Sequence, residues 1–302
     1  MRLRALTRRI AGDERPKQFC PFVDGETLLE RTRARVARLV RSDRTCLVLT
    51  RSHESFYAPL LAKGPLGPLV VQPCGRGTAP AILYGLLRVA ETGPDDAVAL
   101  FPSDHYVSDD GRFMAHVEAA FAAVEAHPGL VVLLGIEAEG PEVQYGWIEA
   151  GERVLDQPNH PIYRVRRFWE KPPEPLAQVL FERGCLWNSF VLVARVPALV
   201  SLLRAALPDL YGAFMTAWLQ RSGLGEAEAM RSLYTRLPST NFSDDVLGRD
   251  SGHLAVLPVR GVKWSDWGEP ARVLRTLSAA GPHPAWAESQ SSTVPAMAGG
   301  GR

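Results

Sequence analysis

Ala97-Val98-Ala99-Leu100-Phe101 runs directly into Pro102-Ser103-Asp104-His105, so that a short apolar stretch ends on a turn carrying a carboxylate. An unbroken apolar run of this length reads as a strand buried on both faces, the kind found in sheets covered by helices. Its surroundings agree. Helical spacing of apolar residues marks 27–40, 53–62, 78–91 and 112–126, and short apolar strands are predicted at 45–50, 68–73 and 130–136. Such alternation predicts an α/β fold, a mostly parallel mixed sheet with helices on both faces. Ligands in these sheets lie beyond the carboxyl ends of the strands. Asp104, just past Phe101, and Gly75 to Thr78, just past Gln72, fall at that place.

The second half changes texture. Longer strands are predicted at 145–149, 162–170 and 186–194, then a helical stretch over 197–236, a last strand pair within 254–265 and a helix over 269–279. No Pro- or Gly-rich linker separates the halves, so residues 1–280 are expected to form one domain. Residues 281–302, rich in Pro, Ser, Ala and Gly, are expected to be a disordered tail.

With 302 residues and 46% apolar content the chain can bury a large core, and a net charge of +1 gives no general attraction to nucleic acid. Residues 1–51 nevertheless hold thirteen Lys/Arg against six Asp/Glu. Arg31, Arg35 and Arg38 read as a solvated helix face, whereas Arg2, Arg15 and Lys17 lie outside that helix and are candidate anion binders. Cys20, Cys46, Cys74 and Cys185 show no CxxC spacing, which suits buried thiols in a reducing compartment. No apolar stretch approaches the roughly 18 residues of a membrane span. A cytoplasmic protein without membrane or nucleic-acid partners is expected.

Taken singly, the polar residues at strand ends are ambiguous. Asp104 alone is more often a turn residue or helix cap, a Lys beside Pro is usually a surface lysine, and Asn188 reads as a strand end. Arg76 to Ala81 opens a helix, with Thr78 as its expected N-cap and Pro80 tolerated in the first turn. Gly77 beside that start is expected to let a ligand approach free backbone amides.

Order removes the ambiguity. Pro16-Lys17-Gln18-Phe19, Gly77-Thr78-Ala79-Pro80-Ala81, Pro102-Ser103-Asp104-His105, Phe168-Trp169-Glu170-Lys171-Pro172, Trp187-Asn188-Ser189 and Trp264-Ser265-Asp266-Trp267-Gly268 follow one another along the chain. The series resembles the sugar-1-phosphate nucleotidylyltransferases, and within them the mannose-1-phosphate guanylyltransferases, from about Arg2 to about Ala280. The resemblance implies a nucleotidyltransferase-type fold, with 1–140 as nucleotide-binding half and 141–280 as sugar-binding half. It also implies transfer of GMP from GTP to mannose 1-phosphate, giving GDP-mannose and pyrophosphate with Mg²⁺. By the same resemblance Arg2, Lys17 and Lys171 are catalytic, with Lys17 on the triphosphate and Lys171 on the sugar phosphate. Gln72, Gly77, Thr78, Ala79 and Pro80 meet the nucleotide, Gly146, Glu170 and Asn188 the sugar, and Asp104 and Asp266 the metal. Thymidylyl and uridylyl relatives tend to carry Leu-Ala-Gln-Ala where this chain has Thr78-Ala79-Pro80-Ala81, which favours guanine.

Two alternatives stand beside this reading: another sugar phosphate or base, and an inactive nucleotide-sugar-binding regulatory subunit, against which retention of both aspartates and both lysines argues. Self-association is open. The family opens with an apolar strand and Gly-Gly-x-Gly-Thr-Arg-Leu, of which Arg2-Leu3 match the end. The expectation is that Met1 is a misplaced start, with roughly 12–20 further residues encoding a strand and glycine loop upstream, and that without them neighbouring strands expose unpaired backbone.

Overall fold

The computed structural model describes residues 2–62, 67–155, 159–249, 252–280 and 286. A short helix, α1 (Arg4–Ala11), stops at Gly12, whose φ of 80° closes the last turn. A capping box starts α2 (Leu28–Val36): the Thr27 hydroxyl accepts from the Glu30 amide, and the Glu30 carboxylate accepts from the Thr27 amide. Across α3 (Glu54–Leu61), β1 (Leu47–Thr50) and β2 (Leu69–Gln72) pair in parallel as a two-stranded sheet. Helix α4 (Thr78–Ala90) packs on that pair and leads to β3 (Ala97–Leu100).

Beyond β4 (Tyr106–Val107) and α5 (Asp110–Ala126) come β5 (Val131–Glu137), β6 (Gly146–Leu155), β7 (Ile162–Glu170), α6 (Glu174–Glu182) and β8 (Leu186–Arg195). Three helices follow, α7 (Val196–Ala206), α8 (Pro208–Leu224) and α9 (Glu226–Arg236), then β9 (Leu254–Val259), β10 (Trp264–Ser265) and α10 (Pro270–Ala280). The large sheet has the order β3-β8-β5-β9-β7-β6. It is mixed but not mostly parallel as expected: β3, β5, β6 and β9 run one way, β7 and β8 the other, and only the β5–β9 ladder is parallel.

Alternating residues of the central strands feed separate cores. Val131 and Leu133 of β5 join Leu192, Leu254 and Val256 under α4, α7, α8 and α9. Val132, Leu134 and Ile136 join Val193, Ala255 and Leu257 under α5 and α6. A buried aliphatic side chain of this kind contributes roughly 1.5–3 kcal/mol over an exposed one, so the period-2 pattern fixes the register.

The structure revises several expectations. The single sheet is divided: among the described residues no strand pairs the outer edge of β1 or of β3, so β1–β2 stands as its own ladder. The last strand pair is not a pair. Gly261, at φ 66°, turns the chain off the sheet, so β9 lies between β5 and β7 while β10 pairs antiparallel with β4. The stretch 197–236 breaks at Pro208 and at Gly225, whose φ is 79°. Arg35 is not solvated but buried, and its Nε donates to Asp110 Oδ1 at 2.6 Å, tying α2 to α5. Helices α1 and α6 had no clear signal. Of the tail 281–302 only Trp286 is described, its indole N–H donating to the Phe22 carbonyl at 3.0 Å; the expectations for the remainder and for Met1 lie outside the described residues. No helix among the described residues is long and apolar enough to cross a membrane.

Candidate active site

The β4–β10 ribbon explains how two segments far apart in sequence, each carrying an aspartate, come together. Ser265 pairs with Tyr106, so Asp266, one residue beyond the ribbon, comes beside Asp104, two residues before Tyr106. Lys17 joins them, its Nζ 3.2 Å from Asp104 Oδ2 and bonded to the Asp266 main-chain carbonyl. Burial works to raise the Asp104 pKa, but Lys17 and His105 outweigh it and hold the carboxyl below its usual range. His105 packs its ring edge-on against Trp264 at 5.1 Å, and burial pushes its pKa down to about 4. It stays neutral at pH 7 and packs between the loop and Trp264.

Arg2, Arg15, Lys17, Asp104 and Gly268 line one cavity of about 210 Å³ at this place. Arg2 Nη1 donates to Gln144 Oε1 at 2.8 Å. The Arg15 guanidinium is already engaged, donating to both carboxylate oxygens of Asp13 at 2.7 and 2.8 Å. Lys17 and Arg2 therefore share this cavity with Asp104 without being engaged by another carboxylate among the described residues, and Arg15 is their neighbour.

A second group of side chains gathers at the start of β6. Gly146 is paired with Glu170, and a Cβ on it would lie 2.9 Å from Glu170 Oε2 and 3.2 Å from the Asn188 Cβ. These three residues thus share one small space that only glycine leaves open. Burial raises the Glu170 pKa against the pull of Lys171, whose half-exposed ammonium bonds its carboxylate. Asn188 is buried and its Oδ1 accepts from the Phe190 amide at 3.0 Å. Tyr145 connects the two groups: its carbonyl accepts from the Lys171 amide at 3.2 Å, and its hydroxyl lies 3.2 Å from Ser265 Oγ. Lys171 (φ 46°) and Trp267 (φ 45°), the residues after Glu170 and Asp266, both take left-handed backbone. Each such strain costs about 1–3 kcal/mol and persists where surrounding structure enforces it, commonly at functional sites.

The loop after β2 departs from its sequence reading in one respect. Thr78 is not the N-cap. Gly77 occupies that position, and the Thr78 hydroxyl instead accepts from the Phe242 amide at 2.8 Å. Gly77, at φ 87°, allows close approach of the Thr240 main chain, since a Cβ there would lie 2.2 Å from the Thr240 carbonyl oxygen. That carbonyl accepts from the Ala79 amide at 3.2 Å, so one first-turn N–H is already used. Pro80 follows in the first turn, buried with Ala79. Gln72 is buried, and its Oε1 accepts from the Tyr234 hydroxyl at 3.2 Å. The clamp by Thr240, Asn241 and Phe242 was not foreseen, because nothing local in those residues announces a contact more than 160 positions away.

A strand-end cleft with a lysine on the Asp104 carboxylate and the Asp266 main chain, a polar group around Gly146 beside it and a pinned loop at a helix start put charged and polar side chains where ligands bind in an α/β fold. The chain belongs to the nucleotidyl transferase family, whose model matches residues 1–277. Xanthan biosynthesis protein XanB of Xanthomonas campestris pv. campestris (strain B100) is 31% identical over 265 residues, covering 86% of this chain and 54% of that protein. Mannose-1-phosphate guanylyltransferase 2 of Escherichia coli O157:H7 is 31% identical over 205 residues, 65% of this chain and 42% of that protein. This chain spans about half the length of the curated relatives it matches. Among solved structures, the one described as mannose-1-phosphate geranyltransferase from Thermus thermophilus superposes with a TM-score of 0.74 at 30% identity, covering 88% of this chain and 72% of that one.

Proposed function

We propose that the protein transfers GMP from GTP to mannose 1-phosphate with Mg²⁺, releasing pyrophosphate and GDP-mannose. The observation that carries this reading is the Lys17 ammonium, 3.2 Å from Asp104 and bonded to the Asp266 carbonyl, in a cavity shared with Arg2. A phosphate oxygen of the sugar attacks the α-phosphorus in line. The new P–O bond forms as the α–β bridging bond breaks, and pyrophosphate leaves with that electron pair. Lys17 and Arg2 donate to the non-bridging oxygens of the triphosphate, and Lys171, on the other side of Tyr145, neutralises the sugar phosphate. Glu170 and Asn188 accept and donate to sugar hydroxyls above Gly146.

Asp104 and Asp266 suit Mg²⁺, since both offer hard carboxylate oxygens, Asp104 is held ionised, and Mg²⁺ completes its shell with waters and substrate phosphates. Bound there, the ion would neutralise charge growing on the phosphoryl oxygens. Guanine and mannose rest on the Thr78-Ala79-Pro80-Ala81 sequence and on relatives named as mannose-1-phosphate guanylyltransferases. The four free thiols suit a reducing cytoplasm.

Replacing Asp104 or Asp266 by Asn tests the assignment. Each change is expected to lower kcat by about 100-fold or more, as loss of one preorganised electrostatic partner commonly does, while GTP affinity falls only slightly. Retained turnover in both variants would remove these residues from the metal site.

A further inference from the structure

Arg272, on α10, is buried at 5% exposure, an unusual place for a guanidinium. Its Nη1 donates to Asp266 Oδ1 at 2.7 Å, and its Nη2 lies 3.0 Å from Glu142 Oε2. Its carbon centre sits 4.7 Å above the ring of Tyr145. Asp266 Oδ1 also accepts from the Gly268 amide at 2.9 Å, whereas Oδ2 receives no hydrogen bond among the described residues. Gly268 has to be glycine for this packing: a Cβ there would lie 2.9 Å from Asp266 Oδ2 and 3.4 Å from Arg272 Nη1. Glu142 is held in turn, its Oε1 accepting from the Gln144 amide at 3.0 Å and its carbonyl from the Trp147 indole at 2.8 Å. Gln144 Oε1 is the acceptor for Arg2.

A buried cation is tolerated only when its partners are well placed, and removing one partner leaves an uncompensated charge. The fork of Arg272 spans Asp266 and Glu142 at once, with Glu269 Oε1 a further 3.7 Å from Nη2, which the single ammonium of lysine cannot reproduce. We propose that Arg272 is a positioning residue for Asp266. It pins Oδ1 so that Oδ2 alone remains open to a divalent cation, and through Glu142 and Gln144 it bears on the position of Arg2 as well. This rests on the reading of Asp266 as a metal ligand.

The experiment measures Mn²⁺ binding by electron paramagnetic resonance, with and without GTP, alongside kcat and KM, in the wild type and in R272M, R272K, E142Q and D266N. Partners that orient metal ligands typically matter by 10–100-fold. R272M is expected to weaken Mn²⁺ binding by about tenfold or more and lower kcat, with a smaller loss of metal-free GTP binding in EDTA that reports the displaced Arg2. R272K is expected to recover part of the loss, and E142Q to show a smaller loss of the same kind. Wild-type Mn²⁺ affinity and kcat in R272K and E142Q, with both lost in D266N, would overturn the proposal even if R272M failed to fold. Wild-type Mn²⁺ affinity in D266N would instead overturn the metal reading on which the proposal rests.

Discussion

At the scale of single residues, the charges that matter are those whose partners lie far along the chain. Arg35 and Arg272 both sit on helices whose sequence reads as ordinary amphipathic surface, yet both are buried against carboxylates, Asp110 and Asp266. Pattern alone misplaces such residues, because the partner that permits burial is invisible locally. Lys171 is the opposite case: its segment pointed to it, and the structure puts its ammonium on Glu170 beside Gly146. If it neutralises the sugar phosphate, Lys171→Met should raise KM for mannose 1-phosphate or lower kcat while GTP affinity stays nearly unchanged. Equal loss for both substrates would show folding damage. His116, remote from the site, gives a pH prediction. Burial lowers its pKa, aided by His160, Arg112 and Arg260; its Nδ1 donates to the Arg112 carbonyl at 2.8 Å and its Nε2 accepts from the Arg260 amide at 3.4 Å. The fold therefore favours the neutral ring. Its stability contribution is complete above the unfolded pKa of about 6.5 and is lost as pH falls below it. Thermal unfolding from pH 8 to 5 should show a smaller acid decline in H116Q than in the wild type; identical declines would clear this histidine of the effect.

At the scale of elements, the strands and helices of the first half were legible within a few residues because their apolar periods are clean. β5 runs Val131 to Glu137 where 130–136 was expected, and α4 runs Thr78 to Ala90 where 78–91 was expected. Pairing was less legible than existence. The two-residue strands β4 and β10 are too short to show a period, yet their ladder brings Asp104 and Asp266 together. Nor could the sequence say that β1–β2 would stand apart from the larger sheet, since ladder partners are set by tertiary contact. This division has a measurable consequence. Amides of β1 and β3 that face their unpaired edges should exchange with deuterium much faster than those of β5 and β8, which are bonded on both sides. Equal protection in all four strands would mean that the two sheets are joined in solution.

For the whole molecule, the alternation of strands and helices announced the α/β class, and six segments in order announced the family. Lys17 bridges the Asp104 carboxylate and the Asp266 main chain, and Gly146, Glu170 and Asn188 lie together. What escaped the sequence was the scaffolding between them: Tyr145 joining the two groups, Thr240 clamping Gly77, and Arg272 holding Asp266. Each is a long-range contact made by a residue with no motif of its own. The most direct test of the central claim is pyrophosphate release by the purified protein, measured across four nucleoside triphosphates and a panel of sugar 1-phosphates with Mg²⁺. The account predicts release fastest with GTP and mannose 1-phosphate, by at least about tenfold over any other pair, a difference of roughly 1.4 kcal/mol in transition-state binding. Faster release with another base or another sugar, or no release with any pair, would contradict it.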